Sequence, residues 1–258
     1  ATIIFIGIIP TRTLAPNGAQ SSGQPSKYPA DIFTWHTWAR YTDTRCKSPL
    51  GFGAFATTLM TLSLSMMGFR GVSNQTVFIA NLCFLAGLGL LISAQWEMVK
   101  GNTFAYTVLA AFGFYYGGYG VLLMPSMGVI EAYGSETAEY HSAFAFYQLI
   151  WCFLNFFFLL AALPTHVPNI VVYAALELCY IFNCTAHFMR ADGRLALAEA
   201  FTKVAGAFGF LSALAGFYLL AHGLCQDTFP FRIPLCETGG LFRRPPSIRE
   251  KMDEIGAV

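Results

Sequence analysis

Along residues 50–222 the apolar positions do not alternate with polar ones. They come in six long blocks, roughly 50–69, 75–97, 103–126, 140–163, 168–189 and 198–222. Each is close to the ~20 residues that an α-helix, rising about 1.5 Å per residue, needs to cross a hydrocarbon core of about 30 Å. Between residues 140 and 189 the only Asp, Glu, Lys or Arg is Glu177. A water-soluble helix keeps a polar face for solvent, and these blocks have almost nothing to offer there. The pattern predicts an all-α polytopic membrane protein. A six-transmembrane-helix bundle over residues 48–223 is flanked by an N-terminal arm (1–47) and an extended C-terminal tail (224–258).

The arm begins with a short apolar run, Ile3-Ile4-Phe5-Ile6, too short to span a bilayer, and continues in Gly, Pro, Ser, Gln and Thr. A start at Ala1 rather than Met suggests processing or truncation. Residues 31–41 read as a short amphipathic helix, with Asp31 as cap and Ile32, Trp35 and Trp38 recurring on one face. Trp and Arg just before a membrane span suit the headgroup layer. The tail alternates Pro with Phe and Arg, as in Phe229-Pro230-Phe231 and Arg243-Arg244-Pro245-Pro246, which favours extended backbone.

Composition agrees with membrane residence: 55% of residues are hydrophobic and 11% charged, against about 25% charged in soluble domains. A net charge of +1 gives no reason to expect nucleic acid. The distribution of charge is more telling. Eleven Lys and Arg lie in the arm, the tail or the second loop (Lys100), and Arg70, Arg190 and Arg194 lie on the opposite side. The positive-inside rule then places both termini on the cytoplasmic or matrix side, with the plasma membrane and the mitochondrial inner membrane both open. The seven cysteines show no C-x-x-C and no Cys/His spacing for a metal, so no metal or cofactor is expected. Cys225 and Cys236 are expected to stay unpaired. Paired acid/base or nucleophilic constellations are missing too, so no catalytic residue is assigned and the chain is not read as an enzyme. Gly113-x-x-x-Gly117, Gly209-x-x-x-Ala213 and Ala86-Gly87-x-Gly89 mark helix contacts, since small residues let backbones approach in lipid.

Two stretches are more specific. Ser48-Pro49-Leu50-Gly51-Phe52-Gly53-Ala54-Phe55, with Thr57-Thr58, stands at the first block, and Glu97-Met98-Val99-Lys100-Gly101-Asn102-Thr103-Phe104 follows the second. Together with Leu123-Met124-Pro125, Trp151 and residues 206–218, they resemble the acetate uptake transporter family, which includes bacterial succinate–acetate permeases and fungal ammonia/acetate exporters. The resemblance covers about residues 46–236. It implies a six-helix bundle, commonly a hexamer, carrying small monocarboxylates such as acetate, with protons, through a path in each protomer. It further implies a hydrophobic constriction from the first, third and fifth helices, which by register is Phe55, Phe112 and Leu176. Pro49, Leu50 and Gly51 would form the entrance motif, Gly51 and Gly53 leaving room for ligand. Thr58, Tyr115 and Tyr116 are pore-lining candidates.

The chain departs from the family pattern at Cys46-Lys47, where Asn-Pro is usual, at Phe112, where Tyr is frequent, and at Tyr115-Tyr116, where Phe-Trp is usual. Glu177 falls where bacterial members tend to be uncharged. An intramembrane carboxylate is functional by default, so Glu177 is a proton-coupling candidate. Alternatively Asn155, Asn183, His187 or a neighbouring subunit holds it. Glu199 and Lys203, four apart, suit a mutual ion pair, and Glu97 is expected at the interface. The expected partners are the lipid bilayer, a small carboxylate substrate and copies of the same chain. The alternative to transport is an accessory subunit among unrelated subunits of a larger membrane complex, with the mitochondrion one candidate location.

Overall fold

The computed structural model describes residues 49–225 and 233–238. The predicted arm helix at 31–41 and the Cys46-Lys47 pair lie outside the described residues. Six helices follow the six apolar blocks: α1 (Pro49–Met66), α2 (Thr76–Val99), α3 (Thr103–Leu123), α4 (Ala138–Ala162), α5 (Val167–Ala191) and α6 (Leu195–Cys225). All but α3 are long and apolar enough by themselves to cross a membrane. The third meets that measure together with the segment Pro125–Ala132, from which it bends by 76°. The third block therefore ends at Leu123 and not at residue 126. Met124 precedes a proline and is extended (ψ 120°), as the ring of Pro125 requires of its neighbour.

Local chemistry sets the other ends. Pro49 opens α1, where a missing N–H costs no helical bond. The Asn102 side chain accepts from the Ala105 amide (3.2 Å) to cap α3, and Thr137 accepts from the Tyr140 amide (3.2 Å) to cap α4. The Lys100-Gly101-Asn102 turn carries Gly101 at φ +74°, a conformation costly for any residue with a Cβ. Glu97 fastens this turn, accepting from Lys100 Nζ at 2.8 Å and from Asn102 Nδ2 at 2.9 Å. The sequence motif of the second loop is thus a turn, a cap and an ion pair. Glu97 lies deeper than expected, only 5% exposed, because both carboxylate oxygens find partners inside the loop.

The helices follow one another around a ring. Neighbours in sequence pack together, and α6 returns to lie against α1. Small residues make the two closest seams. On α3, a Cβ at Gly113 would stand 3.1 Å from the Gly87 carbonyl, and one at Gly120 would stand 2.7 Å from Cys83 Sγ. The facing stretch of α2, Asn81–Leu88, is wound as a π-helix. On α6, Gly206, Gly209 and Gly216 press on Ser63 and Phe55 of α1 and on Met67 just past its end. The α3 and α4 backbones barely approach. Their seam is closed by side chains, chiefly Tyr115 against Trp151 (centroids 4.8 Å apart) and Tyr119 against Phe144 (5.9 Å).

Apolar residues fill the core and also cover the outer surface, while a few polar groups lie inside. Thr58, Ser63, Gln148, Asn155 and Ser212 are buried, and stripes such as Phe84, Leu88, Ile92, Trp96 on α2 and Phe146, Ile150, Phe153, Phe157 on α4 are exposed. That is the arrangement of a bundle whose solvent is lipid. At the end where α4 finishes and α5 begins, residues 233–238 cross as a strap. Cys236 O accepts from Val167 N (3.1 Å), Thr238 N donates to Thr165 O (3.2 Å), and Thr238 Oγ1 donates to Leu163 O (2.7 Å). Pro234 O accepts from the Tyr218 hydroxyl, and Leu235 packs on the core. Cys225 and Cys236 are both free thiols.

Candidate functional site

The centre of the ring is aromatic because α3, α4 and α5 each turn a buried stripe inward. On α5 the stripe is Tyr173, Leu176 and Tyr180, at helical spacings of three and four, and on α3 it includes Phe112, Tyr115 and Tyr116. Phe112 is the hub, with centroids 6.0 Å from Phe55, 5.7 Å from Phe158 and 6.5 Å from Tyr173, against which it stacks. Phe55 also meets Tyr116 edge-on at 6.3 Å. Phe55, Phe112 and Leu176 are at most 5% exposed and belong to one buried cluster.

Above these rings lies a small chamber of ≈ 40 Å³, lined by Tyr115, Tyr116, Gln148, Leu176 and Tyr180 among others. It has room for about two or three waters. The Tyr115 hydroxyl donates to Gln148 Oε1 at 3.4 Å, so an apolar wall carries a few polar handles. The chamber shares Met66, Gln75, Tyr119 and Asn183 with a wider vestibule of ≈ 400 Å³. Between the two, the Tyr119 hydroxyl donates to Gln75 Oε1 at 2.9 Å, and Gln75 Nε2 donates to Ser65 Oγ at 3.1 Å. The vestibule lies where α1, α3 and α5 finish, and its walls include Glu136, His141, His187, Arg190, Glu199 and Lys203.

The family model of the GPR1/FUN34/yaaH family matches residues 38–237. The chain belongs to this family. It is 36% identical over 195 residues to the acetate transporter protein patA of Aspergillus clavatus, covering 76% of this chain and 79% of that one. The protein of the same name from Penicillium expansum is also 36% identical over 195 residues, at 76% and 78% coverage. The bacterial acetate channel SatP shares the fold, with a TM-score of 0.61 at 22% identity over 76% of this chain and 99% of that one.

Within this GPR1/FUN34/yaaH member, the residues singled out in the sequence fall into two groups. Phe55, Phe112, Leu176, Tyr115 and Tyr116 come together at the centre. The others do not. Thr58 is fully buried and turns its hydroxyl to the Asn81 carbonyl on α2, at 3.5 Å, and it lines neither cavity. The space expected beside Gly51 is filled: a Cβ there would meet Leu109 Cδ2 at 3.1 Å and Ser93 Cβ at 3.2 Å. That glycine therefore serves helix packing. Pro49 lies against α6, its Cγ 3.4 Å from a Cβ placed on Gly223, and Leu50 is exposed.

Glu177 also stays outside both cavities. It is caged between α4 and α5, Oε2 accepting from Asn155 Nδ2 at 2.7 Å and Oε1 from the Cys152 thiol at 3.0 Å. Asn155, one of the expected partners, holds it. Glu199 and Lys203 pair at 2.7 Å. Phe158, Tyr173, Gln148 and Tyr180 are central residues that the sequence reading passed over. The three- and four-residue spacing from Leu176 could have revealed the two α5 tyrosines.

Proposed function

We propose that the chain carries small monocarboxylates of the acetate kind across a membrane, along a path inside each protomer. The path runs from the vestibule through the tyrosine chamber to a constriction at Phe55, Phe112 and Leu176. The observation that carries this reading is continuity. Vestibule and chamber share four wall residues, and Leu176, a chamber wall, belongs to the same buried cluster as Phe55 and Phe112. The names of the relatives, acetate transporter and acetate channel, point the same way.

The rings also dictate the form that crosses. Moving a bare carboxylate into a dry apolar constriction costs up to tens of kcal/mol. Neutralising a carboxyl of pKa about 4.3 at pH 7 costs about 4 kcal/mol. The neutral acid is the cheaper passenger, so transport is coupled to protons. We place both termini on the cytoplasmic or matrix side, since eleven Lys and Arg gather with them. The protomers assemble with copies of themselves.

Proteoliposomes of the purified protein will take up labelled acetate faster under an inward proton gradient than without one. A Phe55→Gln variant, which puts a polar group among the rings, will change that flux. Uptake no greater than in protein-free vesicles would overturn the reading.

A further inference from the structure

The vestibule holds more chemistry than a simple opening requires. His141 is enclosed, its side chain 10% exposed, and its ring lies against that of His187 with centroids 5.8 Å apart. Nδ1 of each imidazole is buried and has no hydrogen-bond partner, a costly condition for a polar atom. Both rings form part of the ≈ 400 Å³ cavity wall. His187 is held in place by Phe144, at 4.5 Å between centroids.

The charges around the pair are asymmetric. Glu136 Oε2 lies 3.8 Å from His141 Nε2, at the rim, with its side chain 64% exposed. Lys203 is matched by Glu199 at 2.7 Å. Arg190 donates to Thr202 Oγ1 at 3.1 Å, and among the described residues no carboxylate forms an ion pair with it. Tyr119 of α3 and Tyr140 of α4 are the remaining titratable groups on the wall. The cavity thus offers a cation that no carboxylate matches among the described residues and two imidazoles whose buried Nδ1 atoms lack a hydrogen-bond partner. A small anion able to accept hydrogen bonds and a proton fits that combination.

We propose that the vestibule is a docking and proton-exchange subsite for a small carboxylate, in which Arg190 holds the anion and the His141–His187 pair gives it a proton. This rests on the transport reading above. In the step, an imidazolium N–H bond breaks and a carboxylic O–H bond forms. Neutral imidazole and neutral acid remain, and the acid moves past Tyr119 and Gln75 into the chamber. The imidazole regains its proton from water at the mouth of the cavity.

The test compares wild type, the His141→Gln/His187→Gln double variant, Arg190→Gln, and His222→Gln as a control outside the vestibule. Labelled acetate uptake is measured in proteoliposomes between about pH 5.5 and 7.5, where an ordinary imidazole changes charge. The double variant will raise the half-saturating acetate concentration about tenfold, the size of one lost charge-assisted hydrogen bond, and will flatten the pH dependence. Arg190→Gln will raise half-saturation and keep the pH dependence, and His222→Gln will match wild type. A double variant with wild-type half-saturation and pH response overturns the proposal. Where wild type itself moves no acetate, the transport reading fails, and titration of 13C-acetate into the solubilised protein decides the subsite. Weaker binding by the double variant supports it, and equal binding rejects it. A His187→Phe variant, which preserves the packing on Phe144, separates loss of the imidazole from loss of the fold.

Discussion

Leu176 and Glu177 are adjacent in sequence and belong to different surroundings. A helix turns about 100° between successive residues. Leu176 therefore faces the aromatic centre while Glu177 faces α4, where Asn155 and Cys152 take both of its oxygens. Asn155 also donates to the Tyr173 carbonyl at 3.1 Å, so one amide ties the carboxylate to the backbone behind the stacked rings. Replacing Asn155 by Ala leaves a half-buried carboxylate short of a donor. Such a loss costs about 1–3 kcal/mol, seen as a melting temperature several degrees lower in detergent. Glu177→Gln keeps the volume and removes the charge, and it will leave acetate flux near wild type because Glu177 lines neither cavity. A large drop in flux would return Glu177 to the path.

The helices were largely legible in the sequence, because membrane spans are written in long apolar runs and their contacts in small residues. The π-wound stretch of α2 was not, since no residue type announces it. The side on which Thr58 lies could not be read either: Thr57 and Thr58 point about 100° apart on α1, and only the neighbouring helices decide which is inside. The glycine seams give a sharp contrast on a single helix. Gly113→Ala would place a Cβ 2.9 Å from Leu91 Cγ and 3.1 Å from a carbonyl that cannot yield. It will destabilise by about 1–3 kcal/mol. Gly118→Ala meets only the Tyr147 hydroxyl, at 3.9 Å, and will be neutral or mildly stabilising, since Gly is the poorer helix former by about 1 kcal/mol. Equal effects in thermal unfolding would reject the assigned seam.

At the scale of the whole molecule, the exposed stripes on α2 and α4 must meet lipid or another chain, and composition does not separate the two. Phe84, Trp96, Phe153 and Phe157 are each at least 60% exposed. Aromatic side chains of that kind serve a subunit interface as readily as a bilayer. Native mass measurement from mild detergent decides between the proposed self-assembly and the accessory-subunit alternative. A homo-oligomer is expected, and a single copy bound to unrelated proteins would favour the alternative. That Phe55, Phe112 and Leu176 share one buried cluster was legible only through family register, and the vestibule was not legible at all. His141, His187 and Arg190 are scattered along 50 residues and meet because α4 and α5 are antiparallel neighbours.

The ring has a further consequence, for the order in which the protein is made. The groove around Ser63 and Met67, at the end of α1, is filled by glycines of α6, the last of these six helices to be synthesised. Until then α1 waits in the bilayer with that groove uncovered, through the synthesis of four intervening spans. The strap comes later still, reaching Leu163 and Thr165 after α6 is in place. Closure of the ring therefore requires all six helices, and a chain interrupted before α6 leaves that groove of α1 uncovered.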